Sequence, residues 1–357
     1  MKIGKRSSIS HEENVLMQIL GNNVDRLVTV EIRPRNFPHR GFISKLYDEA
    51  RERLGGTPLT LLAAENIQKN VKDNDNVIIV TGVGYLPFFA HGETDGPLGA
   101  ACLARAVSLG LGAKPIFVVG DHDLEPVKWT AKAAGINIEE YDIVKQTRHT
   151  GGIIPFPYED EQGEQIAKEI IDKYAPKALF SVETLGPNRK GVIHSAMGLS
   201  MTSGLPKLHH LFVEARKRGI LTIGCIDCGN EIGGGAIEGE VRKVARYGDA
   251  CRCPCKSGIA CAIETDVTIT ATTSNWGAYG IAAMLAVLVK NPEVFHDADT
   301  ERRMLEACIM AGGVDGISLR PIPVVDSISC EAGQGLVTLL HMIIENGLKG
   351  EEYNREI

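Results

Sequence analysis

Short runs of apolar residues alternate with helix-like segments along most of this chain of 357 residues. Each run is continuously apolar, which is typical of a strand buried on both faces of a parallel sheet. The segments between the runs have helical spacing, so helices would cover both faces. The sequence therefore predicts an α/β fold with a mostly parallel sheet in a Rossmann-like three-layer arrangement. The predicted strands are residues 77–81, 115–120, 138–141, 178–182, 221–226 and 267–272.

The first 75 residues have a different pattern and predict a helical N-terminal preface. Residues 10–13 fit a capping box that opens a helix toward Leu20, and two more helices are expected. We therefore expect a preface at 1–75 and an α/β domain at 76–357, or one continuous domain over 1–357, with 155–163 as a weaker boundary. The predicted helices are 42–54, 58–71, 99–109, 126–134, 161–174, 208–218, 277–289, 300–311 and 335–346.

The composition excludes several classes of function. A net charge of −7, no run of more than three basic residues and only 5% aromatic residues argue against a nucleic-acid partner. The longest apolar stretch, 281–289, is too short to span a membrane, and no signal peptide opens the chain. We therefore expect a cytoplasmic protein without a membrane partner. The odd number of cysteines, nine, makes a disulfide framework unfavourable, and a homo-oligomer is compatible with the sequence.

Polar clusters follow nearly every predicted strand. Because the carboxyl ends of parallel strands share one edge of a sheet, these clusters should meet there and line a binding cleft. The clusters are Glu93 to Gly96, Asp121 to Asp123, Glu183 with Thr184, Asp227 to Glu231, and Ser274 with Asn275.

The segment from Gly92 to Ala100 predicts a loop that enters a helix at Pro97. Asp95 can cap that helix. In the functional alternative, the helix start binds an anionic group, while Glu93 and Asp95 bind a substrate ammonium or a divalent metal.

The strand 221–226 ends at Asp227 in a glycine-rich turn that contains Asn230 and Glu231. This turn is either part of a site or an ordinary turn in which Asp227 caps the next helix. Asp121 to Asp123 offers metal ligands, a histidine held by a carboxylate, or a solvated capping turn.

Residues 272–279 form another strand-to-helix turn, where Ser274 or Asn275 can cap the helix and Trp276 and Tyr279 can line a pocket. Residues 82–87 lack the third glycine of a dinucleotide fingerprint, and no P-loop is present. No cofactor is required by the sequence.

Four cysteines, Cys251, Cys253, Cys255 and Cys261, predict either a zinc or iron–sulfur site or reduced thiols in a surface loop. Their spacing differs from that of common zinc knuckles. His194, His209 and His210 follow no metal-ligand spacing. Cys228, in the turn after residue 226, is a weak candidate nucleophile.

Three motifs together resemble the D-glutamate cyclase domain family, over roughly residues 77–289. They are Glu93-Thr-Asp-Gly-Pro-Leu-Gly-Ala100, Asp227-Cys-Gly-Asn-Glu-Ile-Gly-Gly-Gly235 and Ser274-Asn-Trp-Gly-Ala-Tyr279. Ile259-Ala-Cys261 is also similar, whereas the cysteine segment 251–255 is not part of the resemblance. The resemblance implies a lyase that cyclises D-glutamate, a small anionic amino acid, to 5-oxo-D-proline with loss of water.

For that reaction we assign proton transfer to Asp227 and Glu231 and oxyanion stabilisation to Asn230 with the Gly229 N–H. A divalent metal held by Glu93, Asp95 and Asp227 is compatible with the same acids. The alternatives are a metal-dependent hydrolase or lyase on another small acid, and a non-catalytic sensor of a small anion. The expected substrate-binding residues are Glu93, Thr94, Asp95, Gly96, Glu183, Gly229, Ser274 and Asn275.

Overall fold

The computed structural model describes residues 11–33 and 38–349 and places seven parallel strands in one central sheet. The strands run in the order β3-β4-β2-β1-β5-β6-β7, and an antiparallel hairpin, β8 with β9, lies apart from the sheet. The strands are β1 (Asn76–Thr81), β2 (Lys114–Val119), β3 (Asn137–Ile138), β4 (Thr150–Pro155), β5 (Ala178–Val182), β6 (Leu221–Ile226), β7 (Val267–Thr270), β8 (Val324–Val325) and β9 (Ile328–Ser329).

Helices cover both faces of the sheet. Alternate residues of a strand point to opposite faces of the sheet. In β1, Ile78 and Val80 pack toward the helices Asp160–Tyr174 and His209–Lys217, whereas Val77 and Ile79 pack toward the larger helical layer on the other face. The predicted three-layer fold is confirmed. The helices are α1 (His11–Val28), α2 (Phe42–Arg53), α3 (Leu59–Asn70), α4 (Pro97–Leu111), α5 (Leu124–Ala133), α6 (Tyr141–Val144), α7 (Asp160–Tyr174), α8 (His209–Lys217), α9 (Glu238–Val244), α10 (Ser274–Leu288), α11 (Ala298–Met310) and α12 (Cys330–Leu348).

The sequence prediction failed at one edge of the sheet. The strand expected at 138–141 is a two-residue strand at 137–138, and Tyr141 already begins α6. The neighbouring strand β4 was missed because its sequence, Thr-Gly-Gly-Ile-Ile-Pro, contains two glycines and a proline, which disfavour a strand interior. Gly151 fits there because a Cβ at this position would lie 3.0 Å from the carbonyl oxygen of Pro115. The helix α9 was also missed.

The N-terminal helices share the core of the α/β unit. Leu20 and Val24 of α1, Leu46 of α2 and Leu61 of α3 belong to the same apolar cluster as α10. The capping box expected at residue 10 lies outside the described residues, and the division at residue 75 stays a prediction. Among residues 11–33 and 38–349, no helix has both the length and the apolar character needed to cross a bilayer. All nine cysteines are free thiols.

The sheet topology places the candidate site. The chain runs from β1 to β2, then to the edge strand β3 and back to β4 on one side, and it returns to β5 and continues through β6 to β7 on the other. Clefts of such sheets form at the carboxyl ends of the strands where the order reverses. The loops after β1, β5, β6 and β7 therefore share this edge.

Two helices exchange caps at this edge. The Asp95 carboxylate, before α4, accepts the N–H groups of Ser274 (2.9 Å) and Asn275 (2.8 Å) at the start of α10. In return, the Asn275 amide oxygen accepts the N–H groups of Gly96 (2.8 Å) and Gly99 (2.7 Å) at the start of α4. Each side chain therefore caps the opposite helix, because helix starts leave N–H groups without intrahelical partners.

This exchange corrects the predicted caps. Asp95 does not cap its own helix, and the side chain that caps α10 from within its own segment is Thr273, which accepts from the Trp276 N–H. Gly96 adopts a φ of 103°, which favours glycine, and it allows the chain to turn into α4 beside Thr81. The predicted position of Pro97 at the first turn is confirmed.

We expect Asn275→Ala to lower the free energy of unfolding by about 2–5 kcal/mol, because two buried N–H groups lose their acceptor. Chemical denaturation of the variant and the wild type measures this difference. Asn70→Ala, at an exposed position with one local hydrogen bond, serves as the control and should change stability by about 0.5 kcal/mol or less. Equal effects of the two substitutions would contradict the capping role.

Candidate functional site

A cavity of about 330 Å³ opens at the carboxyl edge of the sheet. Four acidic side chains and one arginine share its wall with apolar residues, and its volume falls within the range of about 300–1,000 Å³ found for small-molecule sites. The polar and sulfur-bearing lining residues are Arg33, Glu93, Glu183, Ser195, Met197, Met201, Asp227, Cys228, Asn230 and Asp326. The remaining lining residues are Val83, Phe89, Leu185, Ala196, Gly316 and Ile317.

The turn after β6 is closed by Glu231. Its buried carboxylate accepts the N–H groups of Cys228 (2.9 Å) and Gly229 (2.6 Å), with a longer contact to that of Asp227 (3.4 Å). Burial, reinforced by the charge of Asp227, raises the pKa of Glu231 well above its usual value. Glu231 lies behind the cavity wall and organises the turn, and the Gly229 N–H predicted to hold an oxyanion is already bonded to it.

Arg33 is one of the cavity residues that the sequence analysis missed. Its guanidinium pairs with the carboxylates of Asp227 and, at 3.0 Å, Asp326, and its side chain is nearly fully buried. Burial works to lower the pKa of Arg33, but the two carboxylates outweigh it and raise the pKa well above its usual value. The Nε of Arg33 has no hydrogen-bond partner among the described residues. Arg33 is therefore a buried charged donor with one N–H that lacks an acceptor among the described residues.

The ion pair also sets the state of Asp227. Burial acts to raise the pKa of Asp227, yet the charge of Arg33 and nearby donors outweigh burial, so the pKa lies below its usual value. Asp227 is therefore ionised at neutral pH. It lies in the cavity wall, where the sequence placed it, and it holds Arg33 in position.

Asp326 is a second residue that the sequence analysis missed. It lies with Ser327 at the tip of the β8–β9 hairpin, and both residues have positive φ (49° and 68°), as a two-residue hairpin turn requires. Burial raises the pKa of Asp326 to about 7, although Arg33 opposes the shift. The available signal was an Asp-Ser pair between two short β-branched runs, which predicts a hairpin but gives no indication of its place at the sheet edge.

Glu93 and Glu183 are buried in the cavity wall, as predicted. Burial and neighbouring carboxylates raise the pKa of both groups well above the usual value. Glu183 accepts a hydrogen bond from the Ser274 hydroxyl (2.6 Å) and has a φ of 47°, a strained conformation that often marks functional sites. A Cβ at Gly316 would collide with the Glu93 carboxylate, so glycine leaves room for that group.

Asn230 lines the cavity, where it was predicted to stabilise an oxyanion. One N–H of its amide Nδ2 donates to the carbonyl of His194 (2.9 Å), and the amide carries a second N–H. Its Oδ1 is buried and has no partner among the described residues. Asn230 therefore offers an acceptor, which suits an ammonium or N–H group of a ligand.

Several predicted binding residues instead build the framework. Asp95, Gly96 and Asn275 take part in the exchanged caps, and Thr94 donates its hydroxyl to the Val324 carbonyl (2.8 Å). The aromatic residues expected to wall a pocket are also elsewhere: Trp276 and Tyr279 are buried in the core. Ser274 reaches the site indirectly, through its bond to Glu183.

Asp123 is buried, which contradicts the predicted solvated turn at this residue. Its carboxylate accepts the N–H of Gly84 (2.9 Å) and makes no cap to α5. Burial raises the pKa of Asp123 to about 7, although hydrogen bonds from Gly84 and Val83 oppose the shift. The neighbouring Asp121 is exposed, as predicted for a turn.

Three carboxylates offer oxygen ligands within 4.8 Å of one another, those of Asp95, Asp227 and Asp326. Glu93, predicted as a metal ligand, is not in this group. Both oxygens of Asp95 already accept N–H groups, and Asp227 and Asp326 already face Arg33, so a metal here would compete with existing partners.

Cys228 lines the cavity, and burial raises the pKa of its thiol well above the usual value. A protonated thiol is a poor nucleophile, so the burial of Cys228 does not favour its predicted role as a nucleophile. Cys251, Cys253 and Cys255 come together with His194, whereas Cys261 lies apart, with its Sγ accepting the Ile263 N–H (3.3 Å).

The arrangement suits a small zwitterionic ligand. An arginine donor and an amide acceptor share the cavity wall with carboxyl groups of different proton affinity: the pKa of Asp227 lies below its usual value, and the pKa values of Glu93 and Glu183 lie well above theirs. Carboxyl groups whose environments separate their pKa values are typical of acid–base sites.

Comparison with known proteins gives two findings. A family model described as "D-glutamate cyclase-like, C-terminal" matches residues 49–341, which contain every cavity residue except Arg33. The human protein "D-glutamate cyclase, mitochondrial" is 33% identical over 111 residues. That match spans 31% of this chain and 17% of the human protein, so the chain matches a minor part of that relative's length.

We expect Asp123→Asn to flatten the decrease in stability between about pH 4 and pH 7. A carboxyl group whose pKa is raised by folding binds its proton more tightly in the folded state, so its contribution is fully present below the unfolded pKa. That contribution is lost as the pH rises through about 7, by at most about 1.4 kcal/mol per pH unit and proton. Urea unfolding at a series of pH values measures the slopes.

Asp121→Asn is the matched control because the side chain of Asp121 is exposed. Its pH profile should follow that of the wild type. The same slope for Asp123→Asn and the wild type would show that Asp123 ionises as readily in the folded chain as in the unfolded one.

Proposed function

Because the chain belongs to the D-glutamate cyclase-like, C-terminal family, we propose that it is a hydro-lyase that converts D-glutamate to 5-oxo-D-proline and water. The family name indicates a lyase-type enzyme. The observation that carries the specific reaction is the cavity, where the carboxyl groups of Glu93, Glu183, Asp227 and Asp326 share the wall with the guanidinium of Arg33.

The charges of the cavity complement those of glutamate. An excess of carboxyl groups favours a ligand with an ammonium, and the free Nε of Arg33 favours a ligand with a carboxylate. We assign one substrate carboxylate to Arg33 and the ammonium to the Oδ1 of Asn230 and the acidic wall. Asp227 is assigned to hold Arg33, since its own pKa is too low for efficient proton transfer near neutral pH.

The reaction needs two proton transfers. The ammonium loses a proton to a base, its nitrogen forms a bond to the carbon of the γ-carboxyl group, and one carbon–oxygen bond of that group breaks. The nitrogen loses its second proton, and the departing oxygen leaves as water with both protons. Glu93 and Glu183 are assigned these transfers because burial and neighbouring carboxylates raise their pKa values, so that they hold and release protons more readily near neutral pH than an exposed glutamate does.

These assignments change two predicted roles. Glu231, predicted to transfer protons, is assigned to hold the turn that presents Asp227, since three N–H groups surround its carboxylate. Asp95 and Asn275, predicted to bind substrate, are assigned to fix the two helix starts.

A second candidate function is supported by the three acidic ligands Asp95, Asp227 and Asp326. A divalent cation bound there would suit a metal-dependent hydrolase or lyase on another small acid, by polarising a carbonyl or activating water. The binding of Mg²⁺ or Mn²⁺, measured by calorimetry on the wild type and Asp326→Asn, tests this function. A cytoplasmic location, a small anionic amino acid as the partner, and assembly as a homo-oligomer belong to the same set of proposals.

We expect the purified chain to form 5-oxo-D-proline from D-glutamate, and more slowly from L-glutamate, with and without Mg²⁺ or Mn²⁺. Chiral chromatography coupled to mass spectrometry measures the product. Thermal stabilisation by D-glutamate without any product would support the non-catalytic sensor instead. An absence of both turnover and stabilisation would remove D-glutamate as the ligand.

We expect Glu93→Gln and Glu183→Gln each to lower kcat by about 10²–10⁴-fold, because an amide cannot exchange protons as a carboxyl group does. Glu214→Gln is the control, since Glu214 is buried to a similar degree but lies on α8 and pairs with Arg218. Normal turnover by both cavity variants would contradict their assignment, whatever happens to the control.

A further inference from the structure

A second group of functional side chains lies outside the acidic cavity. It consists of His194, Cys251, Cys253 and Cys255, which we call the cysteine–histidine cluster. One nitrogen or sulfur atom from each residue lies within 4.8 Å of all the others. His194 is fully buried, Cys251 is nearly so, and the other two are partly buried.

The distances are close to those between the ligands of a single tetrahedral ion, or a few tenths of an ångström shorter. With Zn–S bonds of about 2.3 Å and Zn–N bonds of about 2.0–2.1 Å, tetrahedral ligands lie about 3.5–3.8 Å apart. The Sγ of Cys251 lies 3.5 Å from that of Cys253 and 3.3 Å from that of Cys255. The His194 Nε2 lies 3.2 Å from the Cys253 sulfur and 3.6 Å from the Cys255 sulfur.

The surrounding polar groups suit thiolates. The Cys253 sulfur accepts the N–H of Cys255 (3.4 Å), and the Cys255 sulfur accepts from the Asn188 amide (3.5 Å). Asn188 is itself fixed by donation to the Gly258 carbonyl (2.8 Å). Donors of this kind stabilise sulfur ligands in their charged form and orient them.

We propose that the cysteine–histidine cluster binds one zinc ion with a structural role. Three thiolates and one imidazole complete a tetrahedral shell, which leaves no open position for substrate or water. An iron–sulfur cluster fits less well, because such clusters take four cysteines or pairs of histidines and would separate the sulfurs more widely. Each thiol loses its proton to solvent when its sulfur binds the ion.

The proposed ion connects two loops. His194 comes from the loop after β5, and the three cysteines come from the loop between α9 and β7. The two loops also meet where the Arg252 N–H donates to the Gly198 carbonyl (2.9 Å). Ser195, Ala196 and Met197 directly follow His194 and line the acidic cavity. Zinc would therefore fix one wall of that cavity, and this consequence does not depend on which reaction occurs there.

The metal content of the full-length chain tests the proposal. We expect elemental analysis of protein purified under reducing conditions without chelator to give about one zinc per chain. Cys253→Ser and His194→Ala should weaken zinc binding by more than about 100-fold, beyond the loss that follows removal of an outer partner alone. Both variants should also melt at a lower temperature. Cys330→Ser, which replaces a buried cysteine outside the cluster, should retain the zinc.

Cobalt substitution gives a readout of the ligands themselves. Replacing zinc with Co²⁺ should produce the visible absorption of tetrahedral cobalt and a charge-transfer band from thiolate. An ion held by the acidic group Asp95, Asp227 and Asp326 would give no such band.

The wild-type chain decides the outcome even if both variants misfold. Metal-free protein, broad iron–sulfur absorption, or a disulfide between Cys251 and Cys255 in the purified chain would each overturn the proposal. These results leave the D-glutamate assay untouched, so failure of the zinc site and failure of the proposed reaction are distinguishable.

Discussion

The exchange of caps between Asp95 and Asn275 is the interaction on which the candidate site depends. It joins the start of α4, which follows β1, to the start of α10, which follows β7, across the carboxyl edge of the sheet. Both helices begin with N–H groups that need acceptors, and neither segment satisfies them alone. The bonds are buried, so breaking one would leave a polar group without a water partner and would lower the free energy of unfolding. The cavity walls that carry Glu93 and Glu183 are fixed relative to each other by this exchange.

The cavity itself is an arrangement of unequal charges. The guanidinium of Arg33 lowers the pKa of Asp227 against the effect of burial, while burial and neighbouring carboxylates raise the pKa values of Glu93 and Glu183. A low-dielectric site that held all of these groups as anions would be strongly unfavourable. A ligand ammonium can relieve this by allowing a carboxyl group to ionise, which links binding to proton transfer. The same balance gives Arg33 a role in the cavity, although none of the three sequence motifs includes it.

The loop 192–201 lies between the cavity and the cysteine–histidine cluster. On one side, His194 faces the three cysteines; on the other, its carbonyl accepts from Asn230, and the next residues line the cavity. Loops without regular structure have few bonds to fix them, so an ordered wall needs added constraints. Hydrogen bonds donated to this loop by Asn230 and by the N–H of Arg252 supply two of these constraints, and an ion in the cysteine–histidine cluster would supply a third.

Local sequence determined the layers and the approximate place of the site. Continuous apolar runs indicated a parallel sheet, and polar residues after each run indicated the edge where Glu93, Glu183 and Asp227 do meet. Such signals are readable because strand periodicity and chain reversal depend on neighbouring residues. The strand β4 was not predicted because glycine disfavours a strand interior in general. At Gly151 glycine is suited to the close approach of Pro115 in the neighbouring strand β2.

The partners of each side chain were decided by tertiary structure. Nothing near Arg33 in the sequence indicates that it pairs with residues 194 and 293 positions away, and the same holds for His194 and its cysteines. The sequence indicated Asp95, Asn275 and Glu231 as site residues. It could not distinguish a side chain that binds a ligand from one that accepts backbone N–H groups. That distinction depends on which N–H groups folding brings within hydrogen-bond distance, and those groups belong to distant segments.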